Sequence, residues 1–326
     1  MKLRLFIEAI RNESLGLSLG DPWRYGENSI TCVVPILNSA KEAPSYLTFP
    51  QAKNLEVKDT GKIDLISLYN KEDKPVFIRI GDVVKGGSQE RSFTMSRLIM
   101  AKEKVKVPVV CVHASKGIFE GTKFGYGGIS PMRDSYYNDS NLRGVRVNQG
   151  ESWSHDTKYA SNAVGCMMAH SGGTQGSSNQ VGSIVDEVQS FRADDMVNIR
   201  DTVNKNLDEV LKKVPLFDNQ VGLILIDEKG FYNLDCFDLH IPFKSIKEAL
   251  IGKESISISS KAEDSVFEYK PKNVKSSIKK VLERGFEEKE VFGKEETSTV
   301  VLDYKDYTGE AVLFKDELIH LMIARK

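Results

Sequence analysis

The densest group of chemically useful side chains lies in residues 81–91, between two segments with strand character. Two basic side chains and two adjacent glycines occur together there, and glycine backbone N–H groups can turn toward an oxyanion. This combination predicts binding of a phosphate or a carboxylate. The candidate ligand-binding residues are Asp82, Lys85, Gly86, Gly87, Gln89 and Arg91. The segment has neither the Gly-Lys-Ser/Thr of a P-loop nor the G-x-G-x-x-G of a dinucleotide fold, and the alternative is a tight turn.

A second candidate is the pair Cys111 and His113, which are two residues apart on a predicted strand and so share one face. A neighbouring histidine could activate a thiol as a nucleophile. Against this, the rise along a strand separates two such residues by roughly 6.6 Å, which is long for a direct hydrogen bond. The alternative is a cysteine that only packs in the core. Cys111 and His113 are therefore weak catalytic candidates.

Three further polar residues, Cys236, Asp238 and His240, alternate along another predicted strand. Their spread of about 13 Å along one strand prevents convergence on one ion without a bulge, so we predict a polar sheet edge and no metal site. His320 is interpreted as a hydrogen-bonded sheet histidine rather than a base. We expect no cofactor.

The elements that must position these residues are mostly strands. Short segments rich in Val and Ile, bounded by Gly, Asn, Asp, Lys or Pro, predict strands over 30–37, 63–68, 76–80, 93–100 and 105–112. A short turn with Pro50 near its start is expected at 46–52. Further along, apolar periodicity predicts helices over 184–214, 242–250 and 273–286, and strands over 221–226, 297–304, 310–314 and 318–323. The fold class is α+β.

The chain of 326 residues changes character between 117 and 182, where 12 of its 25 glycines occur. We therefore divide it into a β-rich part (1–116), a long loop region rich in Gly, Ser, Asn and Tyr (117–182), and an α+β part (183–326) that completes one elaborated domain. The formal charge of −1 argues against a globally basic nucleic-acid binder. With no apolar run of membrane-spanning length, a soluble, cytoplasmic protein without membrane contact is expected.

Residues 75–91 and 107–115 contain a strand, a Gly-Asp turn, a glycine-rich segment with Gln and Arg, and a strand of the form Pro-Val-x-Cys-Val. In this combination the sequence resembles the ARG and Rhodanese-Phosphatase-superfamily-associated protein domain, the ARPP family. Further matches are Gln149 with Trp153, residues 221–238 and residues 309–321. The resemblance implies a link to ADP-ribose or related nucleotide-metabolite pathways, and it transfers no catalytic residue.

The leading expectation is that residues 81–91 bind a phosphorylated, ADP-ribose-like metabolite, with catalysis left open. The alternative is a non-enzymatic interaction or self-assembly module. In that case the 117–182 region, with aromatic residues such as Tyr126, Tyr136, Tyr137 and Trp153, would be a docking surface for a protein partner or a second copy.

Overall fold

A computed structural model describes residues 1–24, 32–62, 65–86, 91–111, 121, 123–129, 217–227, 230–247, 250, 271–283, 285–294 and 296–325. The chain separates into two compact units. The first, here called the sheet unit, comprises Met1–Ser45, Val210–Glu248 and Lys261–Lys326. The second, the barrel unit, comprises Tyr46–Glu209 and Ala249–Ser260. Each unit has a hydrophobic core of its own.

The elements follow one another along the chain in three groups. The first belongs to the sheet unit: α1 (Leu3–Asn12), β1 (Leu17–Leu19), β2 (Trp23–Arg24) and β3 (Cys32–Asn38). The barrel unit contains β4 (Leu47–Thr48), a 3₁₀ turn (Phe49–Gln51), β5 (Leu55–Asp59), β6 (Leu65–Asn70), β7 (Val76–Ile78), β8 (Asp82–Lys85), β9 (Arg91–Phe93), β10 (Arg97–Ile99), β11 (Lys104–Cys111) and β12 (Lys123–Ile129). The chain then returns to the sheet unit with β13 (Gln220–Asp227), β14 (Gly230–Phe237), α2 (Pro271–Leu282), β15 (Glu287–Lys294), β16 (Thr297–Tyr304), β17 (Tyr307–Phe314) and β18 (Glu317–Arg325).

The sheet unit is built on an antiparallel sheet, to which the described residues contribute nine strands in the order β1-β3-β13-β14-β18-β17-β16-β15, with β2 also paired to β3. Helices α1 and α2 share a core with one face of this sheet, because each carries apolar residues at helical spacing. In α1 these are Leu3, Phe6, Ile7 and Ile10, and in α2 they are Val274, Ile278, Val281 and Leu282.

An ion pair between Glu13 and Lys275 links the end of α1 to the first half of α2. Glu13, with a positive φ of 50°, ends α1, and its carboxylate accepts hydrogen bonds from Lys275 and from the backbone N–H of Leu19. Partial burial opposes ionisation of this carboxyl. The hydrogen bonds and the nearby lysine charge outweigh that effect, so the pKa of Glu13 lies below its ordinary value.

Six of the described strands of the barrel unit form a closed barrel in the order β11-β6-β5-β12-β8-β9. Strands β10, β7 and β4 form a separate small sheet in which β4 and β7 are parallel. The barrel interior is filled by alternate residues of its strands, including Val57, Val84, Phe93, Val109 and Phe124. Closure leaves no open sheet edge in the barrel and gives every strand an inward and an outward face.

The described residues are β-rich with few helices, and this agrees broadly with the predicted α+β class. Most of the predicted strands that fall on described residues are confirmed. The predicted strand over 93–100 was wrong in extent, because β9 and β10 divide it between two sheets. The predicted helix over 184–214 lies outside the described residues. None of the described helices is long and apolar enough to cross a membrane.

Two strands, β12 and β15, were not predicted from the sequence. Strand β12 lies inside the predicted loop region 117–182, because three glycines within its seven residues hide the alternation typical of a strand. Strand β15 lies in a highly charged segment. Five of its eight residues are Glu or Lys, and a sixth is glycine. In both cases pairing to neighbouring strands outweighs weak local strand preference.

Candidate functional site

The first turn of the predicted ligand segment, between β7 and β8, is closed by its own hydrogen bonds. The carboxylate of Asp82 accepts the backbone N–H of Arg79 at 2.9 Å, and the Asp82 N–H donates to the Arg79 carbonyl at 3.1 Å. Gly81 has a φ of 82°, a conformation that favours glycine, and its N–H donates to Phe93 on β9. Asp82 is buried, with 2% of its surface exposed. Its carboxylate therefore stabilises the turn.

Arg91 begins β9 on the inner side of the barrel. It lies directly opposite Val84, which belongs to the barrel core, and directly opposite residues of two strands share a face. Its guanidinium Nη2 is 3.7 Å from Oδ2 of Asp59 on β5, and both side chains are fully buried. The pair links β5 and β9, two strands that are not neighbours in the barrel.

Lys85 and Gly86 lie at the end of β8, and Lys85 faces outward. The register places Lys85 opposite Gly125 of β12, whereas the next pair, Val84 with Tyr126, faces the core. Gly86 has a φ of 92° and lies at the start of the connection to β9. Lys85 is partly exposed and Gly86 is exposed, so both can be reached from solvent. Gly87 and Gln89 lie outside the described residues.

Other lysines that the sequence did not single out share this outer face of the barrel. Lys58 of β5 lies directly opposite Lys123 of β12. Their neighbours Val57 and Phe124 face the core, so both lysines face outward. If β12 had been recognised as a strand, the outward position of Lys123 could have been predicted, because alternation along a strand assigns Lys123 and Gly125 to one face.

One carboxylate also lies on this outer face. Glu56 accepts hydrogen bonds from the ammonium groups of Lys58 and Lys71. These two hydrogen bonds lower the pKa of Glu56 to about 2. Glu56 is thus ionised at neutral pH and compensates part of the positive charge near Lys58.

The weak catalytic candidates are only partly described. The backbone of Cys111 ends β11 and pairs with Arg91 of β9. His113 lies outside the described residues, so its relation to Cys111 stays a prediction. The 117–182 docking surface also stays a prediction, because apart from β12 and Gly121 it lies outside the described residues, including Tyr136, Tyr137 and Trp153.

The alternating group Cys236, Asp238 and His240 does not stay on one strand. Strand β14 ends at Phe237, and residues 240–247 are helical. Cys236 is fully buried in the apolar core, where desolvation, followed by the nearby carboxylates Asp235 and Asp238, raises the pKa of its thiol well above the ordinary value. Nδ1 of His240 lies 2.7 Å from the Gln220 carbonyl oxygen. Within the described ranges, no group of three or more His, Cys, Asp or Glu could hold a metal ion.

His320 of β18 is hydrogen-bonded within the sheet, as predicted. Its Nε2 is 3.0 Å from Oδ1 of Asp235 on β14, and both side chains are fully buried. The ring also contacts Phe237, with centroids 4.7 Å apart. This arrangement joins two neighbouring strands through polar side chains.

Comparison with known proteins identifies the family of the chain. No curated protein and no solved structure matches the chain. The model of the ARG and Rhodanese-Phosphatase-superfamily-associated Protein domain, ARPP-1, matches residues 16–324. This range covers nearly all of both units and confirms the resemblance seen in the sequence. The chain therefore belongs to the ARPP-1 domain family.

Proposed function

We propose that the chain binds a phosphorylated, nucleotide-type metabolite of the ADP-ribose kind at the end of β8. The observation that carries the proposal is the solvent-accessible pair Lys85 and Gly86, next to the outward lysines of β5 and β12. A lysine ammonium group and glycine backbone N–H groups are suitable partners for phosphate oxygens. The nucleotide character of the ligand rests on the family resemblance alone.

The six candidate residues divide into two roles in this proposal. Lys85, Gly86, Gly87 and Gln89 contact the ligand. Asp82 and Arg91, which are buried, hold the two ends of the segment in place through their contacts within the barrel unit.

Calorimetric titration of the full chain with ADP-ribose, AMP and ribose 5-phosphate tests the proposal. We expect Lys85→Ala to weaken binding by at least about tenfold, since a hydrogen bond to a charged group contributes about 1.5 to 3 kcal/mol. Lys102→Ala is the matched control, because Lys102 is an exposed lysine of the same unit that pairs with Asp73 at 2.7 Å. Absence of binding by all three compounds, or equal affinity in wild type and Lys85→Ala, contradicts the proposal.

A further inference from the structure

Three adjacent strands of the barrel present lysines on one outer face. Lys58 lies on β5, Lys123 on β12 and Lys85 on β8, and the register brings Lys58 opposite Lys123 and Lys85 opposite Gly125. These strands are neighbours in the barrel, so the three lysines span two inter-strand spacings, roughly 10 Å. A patch of this size suits a small anion with more than one charged group.

The pairing of Lys58 with Lys123 has an electrostatic cost. Directly opposite residues on antiparallel strands have Cβ atoms about 5 Å apart, and like charges at that separation destabilise a sheet. Glu56 compensates Lys58 through a hydrogen bond. Among the described residues, no carboxylate lies within ion-pair distance of Lys123, which is exposed. A bound anion beside Lys123 would remove this unfavourable charge.

Gly125 keeps open the space between Lys123 and Lys85. A Cβ atom at Gly125 would meet nothing within 4 Å, and its φ is not in the left-handed range. Neither packing nor backbone conformation therefore requires glycine at this position. Gly127 differs, because a Cβ there would lie 3.0 Å from the Val83 carbonyl oxygen.

A glycine inside a strand is less favourable than alanine because it loses more conformational freedom on folding, and it often marks a bulge or a close approach by a ligand. The bulge of β12 lies between Tyr126 and Gly128, beyond Gly125. Close approach of a ligand fits the open space at Gly125 and its exposed position.

We propose that a diphosphate group lies on the barrel surface over Gly125, with Lys123 and Lys85 as its main charge partners and Lys58 beside it. This inference rests on the proposed function and deepens it, because it names the ligand group and adds β5 and β12 to the binding surface. Two adjacent phosphates match lysines distributed over three strands. A monophosphate engages fewer of them and binds more weakly.

The test uses titration of the full chain with inorganic pyrophosphate, orthophosphate and ADP-ribose. We expect pyrophosphate and ADP-ribose to bind at least about tenfold more tightly than orthophosphate. Lys123→Ala and Gly125→Glu should each weaken binding of both diphosphate compounds by at least about tenfold. Lys106→Ala is the matched control, since Lys106 is an exposed outward lysine of β11, two strands away from Lys58. The affinity of Lys106→Ala should equal that of wild type.

Two outcomes overturn the inference and are distinguishable. Unchanged affinity in Lys123→Ala, with Lys85→Ala still defective, rejects the site over Gly125 and leaves the proposed function intact. Failure of wild type to bind either pyrophosphate or ADP-ribose rejects the diphosphate site, and the proposed function is rejected as well only if AMP and ribose 5-phosphate also fail to bind. Because a Cβ at Gly125 meets no neighbour, Gly125→Glu should melt at the wild-type temperature. If Gly125→Glu unfolds, the affinity of Lys123→Ala alone tests the inference, because the exposed side chain of Lys123 contributes little to stability.

Discussion

Arg91→Ala should destabilise the barrel unit rather than delete a ligand contact. The substitution removes the positive partner of Asp59 from a pair whose two side chains are fully buried. The Asp59 carboxylate would then remain in the barrel interior without that countercharge. The loss is therefore larger than for a surface ion pair, for which the median is about 0 to 1 kcal/mol.

The expected loss of stability follows from the distance between Arg91 and Asp59 and from the burial of both side chains. At the observed 3.7 Å and an effective dielectric constant of about 20, the attraction between two unit charges is about 4.5 kcal/mol. Removing one partner of a buried pair costs about 3 to 5 kcal/mol in other proteins. Both figures are a large fraction of the total stability of a domain, about 5 to 15 kcal/mol.

Hydrogen exchange followed by mass spectrometry measures this loss within the barrel unit of the full chain. A loss of 3 to 5 kcal/mol should speed exchange of the protected amides of β5, β8 and β9 by roughly a hundredfold to a few thousandfold. The double variant Asp59→Asn with Arg91→Met should recover part of the protection, because a neutral pair leaves no buried charge without a countercharge. The control is Lys102→Ala, which should exchange like wild type.

Unchanged protection in Arg91→Ala would refute this reasoning. If that variant also lost affinity for ADP-ribose, Arg91 would be a ligand contact, as the sequence first suggested. A double variant as unprotected as the sum of the two single variants would show that Arg91 and Asp59 contribute independently.

Two further predictions concern titratable groups. The pKa of Glu56 is lowered from 4.5 to about 2, so its ionised form is favoured by folding. Its contribution is complete above pH 4.5 and disappears as the pH falls toward 2. The melting temperatures of Glu56→Gln and wild type should therefore differ at pH 7 and converge at low pH. A difference in melting temperature that grows on acidification would contradict the assignment. The thiol of Cys236, with its raised pKa, should resist iodoacetamide at pH 8 until urea unfolds the protein, and labelling in the native state would be the contrary result.

The local elements of this fold are largely predictable because their signals are local. Short apolar segments between turn residues identify β3, β6, β13, β16 and β18, and helical spacing identifies α2. Helix α1 has the same helical spacing but was not predicted. Strand β12 could not be recognised, because glycine carries no side chain from which to read an alternation.

The candidate site was predictable in composition and only partly in arrangement. Lys85 and Gly86 lie at the accessible end of β8, within the segment 81–91. Asp82 and Arg91 share that segment but face inward, because alternation along β8 and the register between β8 and β9 assign them to the interior. The sequence alone does not distinguish a charged residue beside glycines that contacts a ligand from one that contacts a buried residue of the same chain.

The sequence by itself determined the family, the strand-rich character and the presence of an anion-suited segment, since these depend on residue types and short-range periodicity. Only the tertiary structure decided which strands are neighbours. Closure of the barrel pairs β5 with β12 and β12 with β8, which brings Lys58 to Lys123 and Lys85 to Gly125. The same closure brings Arg91 to Asp59 across the interior. Such contacts depend on backbone hydrogen bonds between segments far apart in the chain, and a period of two along one strand specifies its faces but not its partners.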